Sequence, residues 1–163
     1  MTTVRMATPA DFDGVMHLGR LLHAENGQHA WDDAKAQEIA AKLLECDGGY
    51  IGVIGAPDNL HGMIGIQLDQ PWYSSAWMLV ELFNFVHPAH RRSTHAKSLI
   101  GHAKGYADQL GIPLVIGIIS NHRTEAKVRL YRRMLPKAGE FFTYRPGDVA
   151  SHRSPRVGAA RII

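Results

Sequence analysis

The sequence predicts an α/β domain with a mixed, mostly antiparallel sheet, a central splayed parallel strand pair and helices on both faces. Three observations carry that expectation. Met78 to Val86 is an apolar and aromatic run broken only by Glu81 and Asn84, as in a strand covered on both sides. Ala96, Leu99, Ile100, Ala103, Ala107 and Leu110 then repeat at helical spacing. Leu114 to Ile119 is a second apolar run, and the intervening helix makes the two strands parallel through a right-handed crossover. Such a pair parts at its C-terminal end, where ligands enter open α/β sheets.

The remaining elements follow in order. Thr2 to Met6 reads as a short strand. Thr8 caps a helix that begins at Pro9 and has Asp11 in its first turn, with Phe12, Val15, Met16, Gly19 and Leu22 on one face. Asn26-Gly27 ends it. A second helix starts near Asp32, turns Ala36, Ile39, Ala40, Leu43 and Leu44 inward, and stops before Asp47-Gly48-Gly49. Tyr50 to Ile54 and His61 to Leu68 form a hairpin around Ala56-Pro57-Asp58-Asn59, with Gly62 and Gly65 marking a bulge. The loop Gln70 to Ser75 carries Trp72 and Tyr73, which either touch a ligand or cover the sheet edge.

Pro88 closes the long strand, and Gly111 with Pro113 stops the following helix. After the loop Ser120-Asn121-His122, a helix from Thr124 to Leu135 puts Val128, Tyr131 and Leu135 on one stripe, and Pro136 breaks it. Glu140 to Tyr144 reads as a last strand. The predicted order is β-α-α-β-β-β-α-β-α-β. Residues 1–145 make one domain. Residues 146–163 form an Arg-rich tail whose ordering against a second copy would make a homodimer.

A chain of 163 residues with 45% hydrophobic content can bury one sizeable core. No apolar run reaches membrane-spanning length, and the N-terminus lacks the apolar stretch of a signal peptide. The single cysteine, Cys46, excludes an internal disulfide and fits a reducing cytoplasm. A net charge of +3 is too weak to argue for nucleic acid, yet suits a polyphosphate ligand. His87, His90, His95 and His102 lie near one another in the sequence. His87-x-x-His90 crosses a proline turn, however, and no cysteine or carboxylate completes a set, so no metal is expected. His95 and His102 read as solvated groups on a helix surface.

His90-Arg91-Arg92-Ser93-Thr94-His95 joins the long strand to its helix. A turn feeding a helix N-terminus aims unpaired backbone N–H groups at one point, a natural phosphate site, and two arginines add charged donors. The alternative is a solvated connection. The segment Val86-His87-Pro88 followed by Arg91-Arg92-Ser93-Thr94-His95-Ala96 resembles the central motif of the GNAT superfamily of acetyl-CoA-dependent N-acetyltransferases, and the element order is similar over residues 2–145. Arg91 and Ala96 match the motif. Thr94 stands where the family usually has glycine and Arg92 where glycine is frequent, so the loop has less backbone freedom around a ligand.

The resemblance implies acetyl-CoA as cosubstrate, its pantetheine arm in the strand splay and its pyrophosphate on the loop. The implied cofactor-binding residues are Phe85, Val86, Arg91, Arg92, Ser93, Thr94, His95, Ala96, Lys97, Asn121 and Thr124. It also implies acetyl transfer to a primary amine by direct attack in a ternary complex, with the acceptor unidentified. The family's helical pair and the loop between them border the acceptor, which makes His23, Glu25, His29 and Trp31 candidates there.

Glu81 is the candidate base, near where some members of the family carry a strand glutamate. Read from the residues alone, it is either a base whose pKa burial raises or a charge at a solvent edge or beside an arginine. Tyr131 is the candidate proton donor to the leaving thiolate. It fits an Asn-x-x-Ala-x-x-x-Tyr pattern through Ala126, although Thr124 and not Asn121 stands seven positions before it. A core tyrosine is the other reading. Two further functions stay open: an acyl-CoA-binding protein without turnover, and a nucleic-acid-binding module using Arg91, Arg92, Arg129, Arg132, Arg133 and the Arg-rich tail.

Overall fold

The computed structural model describes residues 3–120 and 123–140. Its elements are β1 (Arg5–Met6), α1 (Phe12–Asn26), α2 (Asp33–Leu44), β2 (Gly49–Ala56), β3 (Asn59–Asp69), β4 (Met78–Val86), α3 (His95–Leu110), β5 (Leu114–Val115) and α4 (Thr124–Met134). Short 3-10 turns at Pro9–Asp11 and Pro88–His90 lead toward α1 and α3. The strands lie in the order β1-β2-β3-β4-β5, antiparallel except for the parallel pair β4–β5. The expected strand Glu140–Tyr144 runs past the described residues, and the tail at 146–163 and Asn121 lie outside them.

Both faces of the sheet are covered because its central strands are apolar on both sides. Ile51, Val53, Met63 and Phe85 pack with Val15, Met16, Leu18, Leu43 and Leu44 of α1 and α2. Tyr50, Ile54, Ile64, Ile66 and Leu79 pack on the other face with Leu99, Ala103 and Ala107 of α3. At about 25 cal/mol per Å², burying side chains of this size stabilises by roughly 1.5–3 kcal/mol each. Gly111, with φ 66, ends α3 in the left-handed region as expected.

Asp11 does more than favour a helix start. It is fully buried and accepts two bonds from Arg5, at 2.8 Å from Nη1 and 2.6 Å from Nη2, and a third from the Thr8 backbone N–H at 2.8 Å. Arg5 also donates to the Gly55 carbonyl at 3.0 Å, which ties the start of α1 to the end of β2.

Three expectations change, and the bulges expected at the hairpin glycines are located. β5 is only two residues long, paired Leu79 with Leu114 and Val80 with Val115, so the apolar stretch to Ile119 parts from β4 early. The hairpin glycines sit beside bulges whose extra residues are other ones. Ile54 pairs with Gly62 and Gly55 with Leu60, leaving His61 extra on β3. Ile66 pairs with Glu81 and Gly65 with Phe83, leaving Leu82 extra on β4. His95 is 8% exposed, and His102 has its Nε2 buried and its ring against Tyr50, 5.7 Å between centroids. Both project from the apolar side of α3, where Leu99 lies one turn away from each. Trp72 is 96% exposed and touches the Tyr73 ring, so this loop does not cover the sheet edge.

Candidate active site

The early end of β5 makes the site. From Glu81 to Val86, β4 continues with β3 on one side and, among the described residues, no strand on the other, so the backbone groups on that edge face the splay. The Leu82 bulge decides which side chains look into it. Glu81 lies opposite Ile66 and Asn84 opposite Ile64, and cross-strand partners share a face. Residues three apart on a regular strand point to opposite faces, so the extra residue brings Glu81 and Asn84 to one side. Bulges recur beside functional sites for this reason.

Tyr131 of α4 closes the constellation. Asn84 Nδ2 donates to Tyr131 Oη at 3.1 Å, and Tyr131 Oη donates to Glu81 Oε1 at 3.2 Å. Glu81 Oε2 is buried without a hydrogen-bond partner among the described residues. Burial is the main influence on this carboxyl and pushes its pKa up to about 7. The Tyr131 hydroxyl, the Gly117 backbone N–H and the Lys127 ammonium oppose the shift. Burial together with the neighbouring carboxylate raises Tyr131 above the usual tyrosine range, so its hydroxyl stays protonated at neutral pH. A group with pKa near 7 beside a protonated phenol is suited to taking up one proton and passing on another.

Two cavities meet at these residues. The larger, about 590 Å³, lies between α1, α2 and the splay; Val15, Met16, Leu22, Trp31, Ile39 and Val80 line it. The smaller, about 170 Å³, lies under the loop that opens α3; Phe85, Val86, Arg91, Ser93, Ala96 and Arg123 line it. Asn84, Lys127 and Tyr131 border both. His23 and Trp31 line the larger cavity and Glu25 the smaller. His29 lines neither cavity; its carbonyl accepts a bond from His23 Nε2 at 2.8 Å.

Of the expected cofactor residues, Phe85, Val86, Arg91, Ser93 and Ala96 are brought together at the smaller cavity. Arg92, Thr94 and Lys97 are exposed on the same loop and first turn. His95 is turned into the protein, and the Thr124 hydroxyl donates to the Ser120 carbonyl at 2.8 Å. Thr94 has φ −86, so the loop folds without a glycine there. Arg91 is held on three sides. Its Nε donates to the Val86 carbonyl at 3.2 Å, its Nη2 pairs with Glu25 at 2.5 Å, and its guanidinium lies 5.3 Å from the Phe85 ring centre. Arg91, Arg123 and Lys127 outnumber the one carboxylate, Glu25, around this cavity among the described residues. With the first-turn N–H groups of α3 nearby, that donor set fits a diphosphate.

Asn84, Lys127 and Gly117 were missed as site residues. Asn84 had a signal, as the second polar interruption of an apolar strand. Lys127 had none: its Nζ reaches Ser120 Oγ at 2.6 Å, and burial pulls its pKa down. Among the described residues, no helix is long and apolar enough to cross a membrane.

Solved structures share this architecture. AAC(6')-Iy in complex with the bisubstrate analogue CoA-S-monomethyl-acetylneamine aligns with a TM-score of 0.69 at 15% identity, over 90% of this chain and 99% of that one. A ribosomal-protein-alanine N-acetyltransferase from Brucella melitensis biovar Abortus 2308 aligns with a TM-score of 0.66 at 16% identity, over 90% and 100%. An integron cassette protein from the mobile metagenome of Cole Harbour Salt Marsh aligns with a TM-score of 0.67 at 20% identity, over 91% of each chain. No curated protein sequence matches the chain. At these identities the structural likeness speaks for the fold. The sequence itself matches the family described as "Acetyltransferase (GNAT) family" over residues 17–135, which run from within α1 to the end of α4 and include every residue of the Glu81–Asn84–Tyr131 constellation. A match over that much of the sequence decides the matter: the chain belongs to the GNAT family of acetyltransferases.

Proposed function

We propose that the protein is an acetyl-CoA-dependent N-acetyltransferase that acts on a primary amine by direct attack within a ternary complex. The observation that carries this reading is the Glu81 carboxyl, poised near neutrality and bonded to the Tyr131 hydroxyl where the two cavities meet. Acetyl-CoA supplies the acyl group as an activated thioester. Arg91, Arg123, Ser93 and the first turn of α3 hold its diphosphate, and the splay beside β4 receives its arm.

Glu81 answers the main chemical difficulty. An alkylamine with pKa about 10.4 is deprotonated in only about one molecule in two thousand at pH 7, a cost of roughly 4–5 kcal/mol. Glu81 takes one proton from the ammonium, so that the nitrogen can attack the acyl carbon. Tyr131 gives its hydroxyl proton to the sulfur as the carbon–sulfur bond breaks. The proton on Glu81 then returns to Tyr131 Oη along their hydrogen bond, and the second nitrogen proton leaves to water. Asn84 donates to Tyr131 Oη and so keeps the hydroxyl proton aimed at Glu81 until transfer. Backbone N–H groups near Phe85 and Val86 face the carbonyl oxygen.

The larger cavity favours an amine on an apolar body. Among its described lining residues Glu81 is the one carboxylate, and Lys127 opposes a second positive charge. Aminoglycosides, the substrates named for several structural neighbours, are polycations and match this lining poorly. The test is thiol release from acetyl-CoA across a panel of apolar primary amines and aminoglycosides, with wild type and Glu81→Gln. Amine-dependent release by wild type, strongest with apolar amines and lost in the variant, supports the proposal. No amine-dependent release, or release unaffected by the variant, contradicts it. A second reading, an acyl-CoA-binding protein without turnover, draws on the Arg91–Glu25 pair, which occupies the loop arginine. It expects binding without release.

A further inference from the structure

Behind the loop that opens α3, three imidazoles from separate parts of the chain converge. His61 is the extra residue of the β3 bulge, and bulges re-aim side chains. Its carbonyl accepts the His87 backbone N–H at 2.9 Å, which draws the end of β4 against it. His90 closes the Pro88–His90 turn, and His95 begins α3. The His61 ring stacks on His90 at 3.7 Å and on His95 at 5.5 Å between centroids. One ring nitrogen from each of the three lies within 4.8 Å of the other two.

His95 is the second, independent observation. It is 8% exposed, and its Nδ1 is buried with no hydrogen-bond partner among the described residues. A buried polar atom without a partner destabilises the fold unless something binds it. No carboxylate belongs to the group among the described residues, and imidazole donors suit zinc and its first-row neighbours.

We infer that His61, His90 and His95 form a three-histidine site for a divalent transition-metal ion of the Zn²⁺ class, with its remaining position open to water. Zn–N bonds of about 2.0–2.1 Å in tetrahedral geometry put ligand nitrogens roughly 3.4 Å apart. The cluster therefore tightens on binding. A metal lies in the plane of each ring it binds, so the His61 and His90 rings, now parallel, turn about their side-chain bonds. Both are only partly buried and free to do so. The bound ion ties the β3 bulge to the loop and first turn of α3. The inference does not depend on acetyl transfer.

The test uses the whole protein, treated with EDTA and dialysed, and titrated calorimetrically with ZnCl₂. Wild type is compared with His61→Gln and His90→Gln, each shown to be folded by circular dichroism. The expected result is one tight site in wild type, accompanied by a rise in melting temperature on adding zinc. Each substitution should weaken binding by more than the roughly 10–100-fold that follows loss of a supporting contact, and should abolish the melting shift. The protein's other histidines remain in both variants. Equal binding by wild type and variants, or no stoichiometric binding by wild type, overturns the inference.

Discussion

Glu81 and Asn84 stand three residues apart on one strand and still face the same hydroxyl, Tyr131 Oη, one accepting from it and the other donating to it. The extra residue Leu82 makes this possible, because it resets the side-chain alternation of β4 midway through the splay.

Deleting Leu82 leaves Glu81 and Asn84 on one face, now two residues apart, and tests instead the kink and twist that the bulge adds where they meet Tyr131. The deletion restores regular pairing while leaving each remaining residue opposite its present partner on β3, so apolar groups keep their faces. Stability should change by no more than about 1–2 kcal/mol. The local kink and twist disappear, and acetyl transfer should fall by at least about a hundredfold, as expected when reacting groups are misplaced by an ångström. Thermal melting and thiol release, measured on one preparation, separate the two effects.

Glu81→Gln should abolish the step in kcat/KM that wild type shows as pH rises through about 7, where Glu81 becomes a carboxylate. The rate loss above that pH should be roughly 10²–10⁴-fold. The stability effect has the opposite sign. Glu81 has a folded pKa above its ordinary 4.5, so the folded state binds the extra proton between those values and gains stability as pH falls from about 7 toward 4.5. Removing the buried charge should therefore stabilise the protein at pH 8, by roughly 1–3 kcal/mol, and matter little near pH 4. Urea unfolding at the two pH values reads this out.

Tyr131→Phe keeps the ring in place and removes the proton. kcat should drop by roughly 10²–10⁴-fold while the KM for acetyl-CoA stays nearly constant. Full activity in this variant would remove the hydroxyl from the mechanism. Because burial holds the tyrosine above its usual range, no ionisation of Tyr131 should appear spectroscopically below pH 10 in the folded protein.

Asp11→Asn should destabilise by roughly 2–3 kcal/mol, less than the 3–5 kcal/mol of a fully enclosed pair because Arg5 remains about one-third exposed. Arg5, chiefly, holds the Asp11 pKa below 3.8. Its stabilisation is therefore present above the unfolded pKa and is lost as pH falls through the lower folded value. Urea midpoints of wild type and variant, well separated at pH 7, should converge in strong acid.

Long apolar runs and helical spacing were readable, which is why β4, α3 and the parallel pair stand where expected. The length of β5 was not. The stretch Leu114 to Ile119 is apolar whether it pairs with β4 or leaves it, and only the pairing separates a strand from one wall of a cavity. Glu81 and Tyr131 were each legible as unusual residues, but 50 positions divide them and only the fold brings them into contact. His95 and His102 were misread as solvated although each lies one turn from Leu99, a helical-spacing signal present in the sequence. His61 joined the histidine group through a bulge, which composition does not announce.

The central claim is that the loop opening α3 and the splay beside β4 hold acetyl-CoA next to Glu81 and Tyr131. Calorimetric titration with acetyl-CoA and with CoA, on wild type and Arg91→Ala, tests it most directly. The account predicts one micromolar site for each ligand, weakened by roughly tenfold or more when the arginine's charged hydrogen bonds to phosphate are lost. No binding at millimolar ligand, or binding indifferent to Arg91, would contradict it.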